Sequence, residues 1–261
     1  MDREAVIERA RASGVETVLC ILSADDDAEM SRAREQLTPL GPALLFAAAV
    51  HPHRAGAHQD AADRAADQTR RAQAATGAVA LGEMGLDYHY DFAPRDAQQE
   101  VFAAQVALAV ELDLPVIIHT REAADDTLAV IRDAGGGRAR GVMHCFTGTA
   151  DEARRALDLG FWISFSGILT FPRAGALRDL AATVPPDRVL VETDAPYLAP
   201  VPYRGKRNEP AWVVETLRCL AGLHGCTPDE MAAQIQRNFD AFLGRTASGA
   251  TGGIGASRVD T

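Results

Sequence analysis

The chain has 261 residues, 47 % hydrophobic but only 6 % aromatic, with 36 acidic against 26 basic side chains and a formal charge of −10. The length suits a single α/β barrel of roughly 250 residues, and the aliphatic bias suits a buried parallel sheet covered by helices. The charge excludes a nucleic-acid binder that works through a broad basic face, and no run approaches the ~20 apolar residues of a membrane span.

In chain order, a helix is expected first, over Arg3–Ser13, with Val6 and Ala10 on one side. Strands are then expected at Glu16–Ser23, Leu44–Val50, Val79–Met84, Val116–Thr120, Gly141–Phe146, Phe161–Ser166 and Val189–Thr193. Amphipathic stretches separate them, such as Arg95–Leu112, where Val101, Gln105 and Leu108 share a stripe. Gly and Pro mark the joins, among them Gly14, Gly77, Pro115, Gly160 and Pro185. This alternation implies repeated βα units and a (β/α)8 TIM barrel.

Seven strands are counted where a closed barrel needs eight, and the chain opens on a helix, so the absent strand is the first. The expectation is a true start upstream of Met1 or a natural truncation, with exposed edges at 16–23 and 189–193. Residues 1–244 are expected to form the barrel. Residues 245–261, dominated by Gly, Ala, Ser and Thr, are expected to be a disordered tail. Met1-Asp2-Arg3-Glu4 begins a charged helix rather than a signal peptide, and Cys20, Cys145, Cys219 and Cys226 have neither redox nor zinc-knuckle spacing. A cytoplasmic protein with reduced thiols is expected.

Five of the seven apolar runs finish in His, Glu or Asp: His51-Pro-His53, Glu83 to Asp87, His119, His144, and Glu192-Thr193-Asp194. Barrel enzymes place their active sites at these strand ends. Unpaired polar groups there would each cost about 1–3 kcal/mol, and shared cations would satisfy them together. Two imidazoles, His119 and His144, with carboxylates Glu83 and Asp194 and no thiolate, select Zn, Mn or Mg. Two such cations bridged by a carboxylate suit hydrolysis. Glu83 is the expected bridge, and Asp194 the expected ligand and catalytic base.

The ordered motifs GEMGLDYH (Gly82–His89), HCFTG (His144–Gly148) and ETDAPYL (Glu192–Leu198) resemble the TatD family of deoxyribonucleases. HPH at His51–His53, HTREA at His119–Ala123, RNEP at Arg207–Pro210 and the Asn238-Phe239 pair agree with it. The resemblance covers almost everything from Arg3 to Gly244. It implies a metal-dependent hydrolase barrel with two divalent cations, acting on DNA ends, often as a 3′ exonuclease. Carried over, it implies Glu83, His119, His144 and Asp194 as metal ligands, Asp194 as base, and His51 and His53 near the substrate. Family members usually carry a His-x-His pair on the first strand. Without it, one cation keeps only Glu83 and Asp194, so weak occupancy and reduced activity are expected.

Arg121 and the loop bearing Arg204, Lys206 and Arg207 are candidate phosphate contacts, and Tyr88 a candidate base-stacking ring. His58 and His224 carry no motif and are expected at the surface. By strand alternation Cys145 is expected to pack outward. Two rival readings remain: an amidohydrolase-like enzyme on a small substrate, disfavoured because no strand end holds a bridging Lys, and a degenerate homologue that binds metal without turnover.

Overall fold

The computed structural model describes residues 2–245 except 42 and 91. The order is α1 (Arg3–Ala12), β1 (Val18–Ser23), α2 (Asp27–Gln36), β2 (Leu44–Ala49), α3 (Ala62–Thr76), β3 (Leu81–Asp87), α4 (Arg95–Glu111) and β4 (Val116–Arg121). It continues with α5 (Ala124–Gly135), β5 (Gly141–Met143), α6 (Ala150–Asp158), β6 (Trp162–Phe165), α7 (Gly175–Ala181), β7 (Val189–Val191), α8 (Val213–Leu223) and α9 (Pro228–Phe242). All seven expected strands form, within about two residues at most ends. Local chemistry sets the boundaries. Gly77 closes α3 at φ +67°, and Thr227 and Glu230 form a capping box at the start of α9, with Pro228 in its first turn.

Every strand pair is parallel. β1 pairs with β2, β3 to β7 form a consecutive five-stranded sheet, and a single bridge between Ala47 and Ala80 joins the two. Hydrogen bonds do not close the circle, because β1 and β7 do not pair. Among the described residues no strand precedes α1, as the sequence count anticipated. Of the tail expected at 245–261, only Arg245 lies within the described residues.

Alternation along the strands separates two surfaces. Leu19, Ala47, Ala80, Ile117, Val142, Trp162 and Leu190 gather into one cluster with Phe239, Phe242 and Leu243 at the end of α9. One residue from or beside each strand therefore faces the barrel interior, and α9 plugs it from below. The intervening residues, such as Phe46, Ile118, Met143 and Ile163, pack outward against the helices. Asn238 of α9 donates to the carbonyls of Pro186 and Val189 at 2.8 and 2.7 Å, which tethers the plug to the start of β7.

This parity aims the chemistry. Two residues on from Ala49 is His51; from Ile117, His119; from Val142, His144; from Leu190, Glu192. Each continues the inward-facing set of its strand. Glu83 reaches the same space by another route. Between Leu81 and Met84 the pairing with β4 shifts by one residue, a bulge that contains Glu83 and re-aims it. β3 then runs on to Asp87, past the expected end at Met84.

Two sequence expectations are corrected here. His58 is only 7 % exposed, with its Nε2 buried and unpartnered, and the Nε2 of His224 is likewise buried. His58 is therefore not a surface group, whereas His224 is half-buried, with part of its ring at the surface. His58 ends a 3-10 turn over Pro52–His58 that packs against α4, β3 and α3. Cys145 does not follow alternation, because its φ of +45° breaks the strand after His144. Its thiol turns instead to the Ser166 hydroxyl at 3.2 Å.

Candidate metal centre

Three imidazoles converge on one carboxylate oxygen. Glu83 Oε1 lies 2.8 Å from His119 Nδ1, 3.8 Å from His51 Nε2 and 3.8 Å from His144 Nε2. Asp194 Oδ1 lies 3.8 Å from the same His144 nitrogen. The structure thus brings together the four residues expected as ligands. It also adds His51, whose donor atom, with those of Glu83 and His119, forms a set within 4.8 Å.

Each imidazole is held by its other nitrogen. The backbone N–H of His53 donates to His51 Nδ1 at 3.2 Å, which puts the proton of the neutral ring on Nε2, facing the centre. His119 Nε2 lies 3.0 Å from Asp87 Oδ2, and His144 Nδ1 lies 2.9 Å from Glu192 Oε2. A carboxylate only accepts, so Asp87 and Glu192 keep the protons on those nitrogens and present the opposite ones inward. Asp87 also binds His53 Nε2 at 2.8 Å, and its second oxygen accepts the backbone N–H groups of His89 and Tyr90 at 3.0 Å each.

Asp87 and Glu192 stand in the motifs, yet no role was read for them. Parity was the available signal for Glu192, since it continues the inward set of β7. Asp87 had no such signal, because the bulge at Glu83 resets the alternation of β3. Two buried amides complete the frame. On α4, Gln98 accepts from the N–H of Asp87 and donates to its carbonyl, while Gln105 does the same for Val50. These residues are seven apart on the face of α4 that carries Val101 and Leu108, and they satisfy the ends of β3 and β2 just where the site residues leave the ladder.

Electrostatics follow from the crowding. Burial would raise the Glu83 carboxyl, but the His119 hydrogen bond and the charges of His144, His119 and His51 pull it down to about 2. Asp87 is likewise drawn down to about 2 against its burial, by the Tyr90 backbone and then by His53 and His119. Burial opposes charge on His144, yet the Glu192 carboxylate carries its pKa up to about 10. Burial lowers His51 to about 4. Asp194, desolvated and near Glu192 and Glu83, rises to about 6 despite His144. Burial, then the same carboxylates, pushes the Cys145 thiol well up, so it is no nucleophile.

The remaining candidates divide. His53 lies at the cluster, with its ring 6.1 Å from that of His119. Arg121 holds its guanidinium over the Tyr90 ring, 4.8 Å from the centroid. Arg207 pairs instead with Asp2 at 2.5 Å, and Arg204 stacks on Phe171 at 3.7 Å. In RNEP the polar work falls to its neighbours. Asn208 donates to the carbonyls of Thr193 and Tyr197, which clamps the loop carrying Asp194, and Glu209 takes Arg9 of α1. Tyr88 is half-buried, its hydroxyl bound to Asp126 at 2.7 Å, so its ring belongs to the packing.

The donor set fits a borderline-to-hard divalent cation: imidazoles and carboxylates, no thiolate, ring nitrogens aimed at one shared oxygen. Asp87→Asn is expected to weaken Zn²⁺ or Mn²⁺ affinity about 10- to 100-fold, the usual effect of losing a carboxylate behind a ligating His. Titration of the metal-stripped protein measures it, and unchanged affinity would show that Asp87 does not orient His119.

The family model described as TatD related DNase matches residues 1–244. The metal-dependent hydrolase YabD of Bacillus subtilis is 39 % identical over 241 residues, covering 91 % of both chains. The 3′-5′ ssDNA/RNA exonuclease TatD of Pantoea ananatis is 36 % identical over 248 residues, covering 93 % of this chain and 94 % of that one. Among solved structures, the TatD homologue YJJV of Escherichia coli superimposes with a TM-score of 0.81 at 30 % identity, over 92 % of this chain and 91 % of that one. With the family model matched over residues 1–244, the chain belongs to the TatD-related DNase family of metal-dependent hydrolases.

Proposed function

We propose that this protein hydrolyses phosphodiester bonds at DNA 3′ ends, with Glu83, His119, His144 and Asp194 as ligands of up to two divalent cations. The observation that supports this most is the convergence of three imidazoles on Glu83 Oε1 from three different strands. His51 lines the same cluster, its Nε2 grouped with the donor atoms of Glu83 and His119. The exonuclease name carried by a relative at 36 % identity supports the choice of substrate.

The cations, when bound, supply Lewis acidity and lower the pKa of water. The side chains do the rest. Asp194 accepts the proton of the attacking water. Its φ of +56° and the Asn208 clamp hold that carboxylate at the mouth. Arg121 stands on the phosphate side, where its guanidinium offers a donor to a non-bridging oxygen, and His53, steadied by Asp87, lines the mouth beside it.

The direct test uses protein stripped with EDTA and reloaded with Mn²⁺, Mg²⁺ or Zn²⁺, given 5′-labelled single-stranded DNA. Stepwise shortening from the 3′ end, with about two cations bound per chain, is expected. No shortening with any of the three metals would overturn the proposal. Hydrolysis of a small phosphodiester alone would move the substrate away from DNA.

Proton linkage offers a second check. His144 is protonated at neutral pH in the metal-free protein, and ligation by its Nε2 requires the neutral ring. Cation binding at pH 7.5 is therefore expected to release about one proton. Affinity should fall as pH drops, and further below about 6, where Asp194 also takes up a proton. Calorimetric titrations in buffers of different ionisation enthalpy read this directly, and zero release would remove His144 from the ligand set.

A further inference from the structure

An aromatic ledge stands at the mouth of the barrel. Phe92 is 64 % exposed and Tyr90 is 41 % exposed. Leaving a Phe in water forgoes the free energy of burying it, and neither ring is needed to cover the core. Yet the pair is ordered. The two rings stack at 5.3 Å with an interplanar angle of 23°, and Arg121 sits over Tyr90 at 4.8 Å. Both rings touch His53 edge-on, Phe92 at 4.8 Å and Tyr90 at 5.6 Å. His53 shares the Asp87 carboxylate with His119, so the ledge adjoins the centre through one side chain. The backbone N–H of Tyr90 is anchored on that same carboxylate.

We infer that Phe92 and Tyr90 form a stacking platform for a nucleobase beside the scissile phosphate, an inference that rests on the phosphodiesterase reading above. A flat, apolar ring pair backed by a cation matches the π-face of a base, and such stacking tolerates any sequence. The occupant follows also from charge. At −10 the protein repels a polyanion, so affinity for a strand end must come from a contact that does not depend on a basic face. A stacked base supplies it. Tyr88, the ring expected from sequence, is held inward by Asp126 and Gln99. The exposed rings are two and four residues further on.

The test compares two 5′-fluorescent single-stranded oligonucleotides, one intact and one abasic at its two 3′-terminal nucleotides. Cleavage is measured with Mn²⁺, and binding by fluorescence anisotropy with Ca²⁺. Wild-type protein is expected to prefer the intact end about tenfold, the usual scale of one stacked base. The preference should show in KM and in anisotropy rather than in kcat. In Phe92→Ala and Tyr90→Ala the ratio is expected to fall to about one, and Phe92→Trp is expected to restore it. Equal handling of both ends by the wild type, or a preference that survives Phe92→Ala, overturns the platform while cleavage itself upholds the phosphodiesterase reading. Discrimination in anisotropy that collapses in Phe92→Ala, with no cleavage in any metal, upholds the platform as a base-binding ledge and overturns that reading. No discrimination and no cleavage overturn both.

Discussion

Glu83→Gln is expected to lower kcat/KM on a 3′ end by about a thousandfold, equivalent to ~4 kcal/mol of transition-state stabilisation. The substitution keeps the shape of the side chain and removes its charge. Every inward imidazole nitrogen, on His51, His119 and His144, lies within 3.8 Å of that one carboxylate oxygen. A neutral amide can neither bridge two cations nor offset their charge, so bound metal should fall together with activity. The metal-free protein also changes. The Glu83 carboxyl, pulled to about 2, contributes stability that is complete above its unfolded pKa near 4.5 and is lost as pH falls through the folded value. The acid limb of the melting curve should therefore flatten in the variant. Metal analysis, kinetics and melting between pH 3 and 7 check the three parts. Two bound cations with activity within tenfold of wild type would remove Glu83 from the centre.

Gly85→Ala is expected to cost about 4 kcal/mol or more, a fall in Tm on the order of 10 °C for a domain of this size. A Cβ at this position would stand 1.9 Å from the carbonyl oxygen of His119 and 2.9 Å from its carbonyl carbon, and the φ of +143° is one that L side chains rarely adopt. The atoms in the way are backbone, so β3 must move off β4. Gly85 is the register partner of His119, and metal affinity should drop with stability. Gly77→Ala separates strain from clash. Its φ is +67° and nothing lies within 4 Å of the added carbon, so a loss of about 1 kcal/mol is expected. Equal melting temperatures for the two variants would rule out the close approach of β3 and β4 as the reason for glycine.

The strands and their polar endings were legible in the chain because both depend on local pattern. An apolar run of period two, broken by Gly or Pro and ending in His or Asp, marks a barrel strand wherever it occurs. His51, His119 and His144 continue the inward parity of Ala47, Ile117 and Val142. The count of seven strands came from the same pattern.

What sequence pattern did not reveal depends on departures from that pattern and on partners far apart in the chain. A one-residue bulge carries Glu83 into the centre and lets β3 reach Asp87. A left-handed residue turns Cys145 inward to Ser166. The orienting pairs Asp87–His119 and Glu192–His144 span 32 and 48 residues, and Arg9–Glu209 spans 200. No local periodicity encodes which carboxylate will stand behind which imidazole. Arg207, read as a phosphate contact, pairs with Asp2, because the closing loop lies against the start of α1. Short-range alternation therefore determined which residues point into the barrel, and only the packing of strands and helices decided which of them hold one another in place.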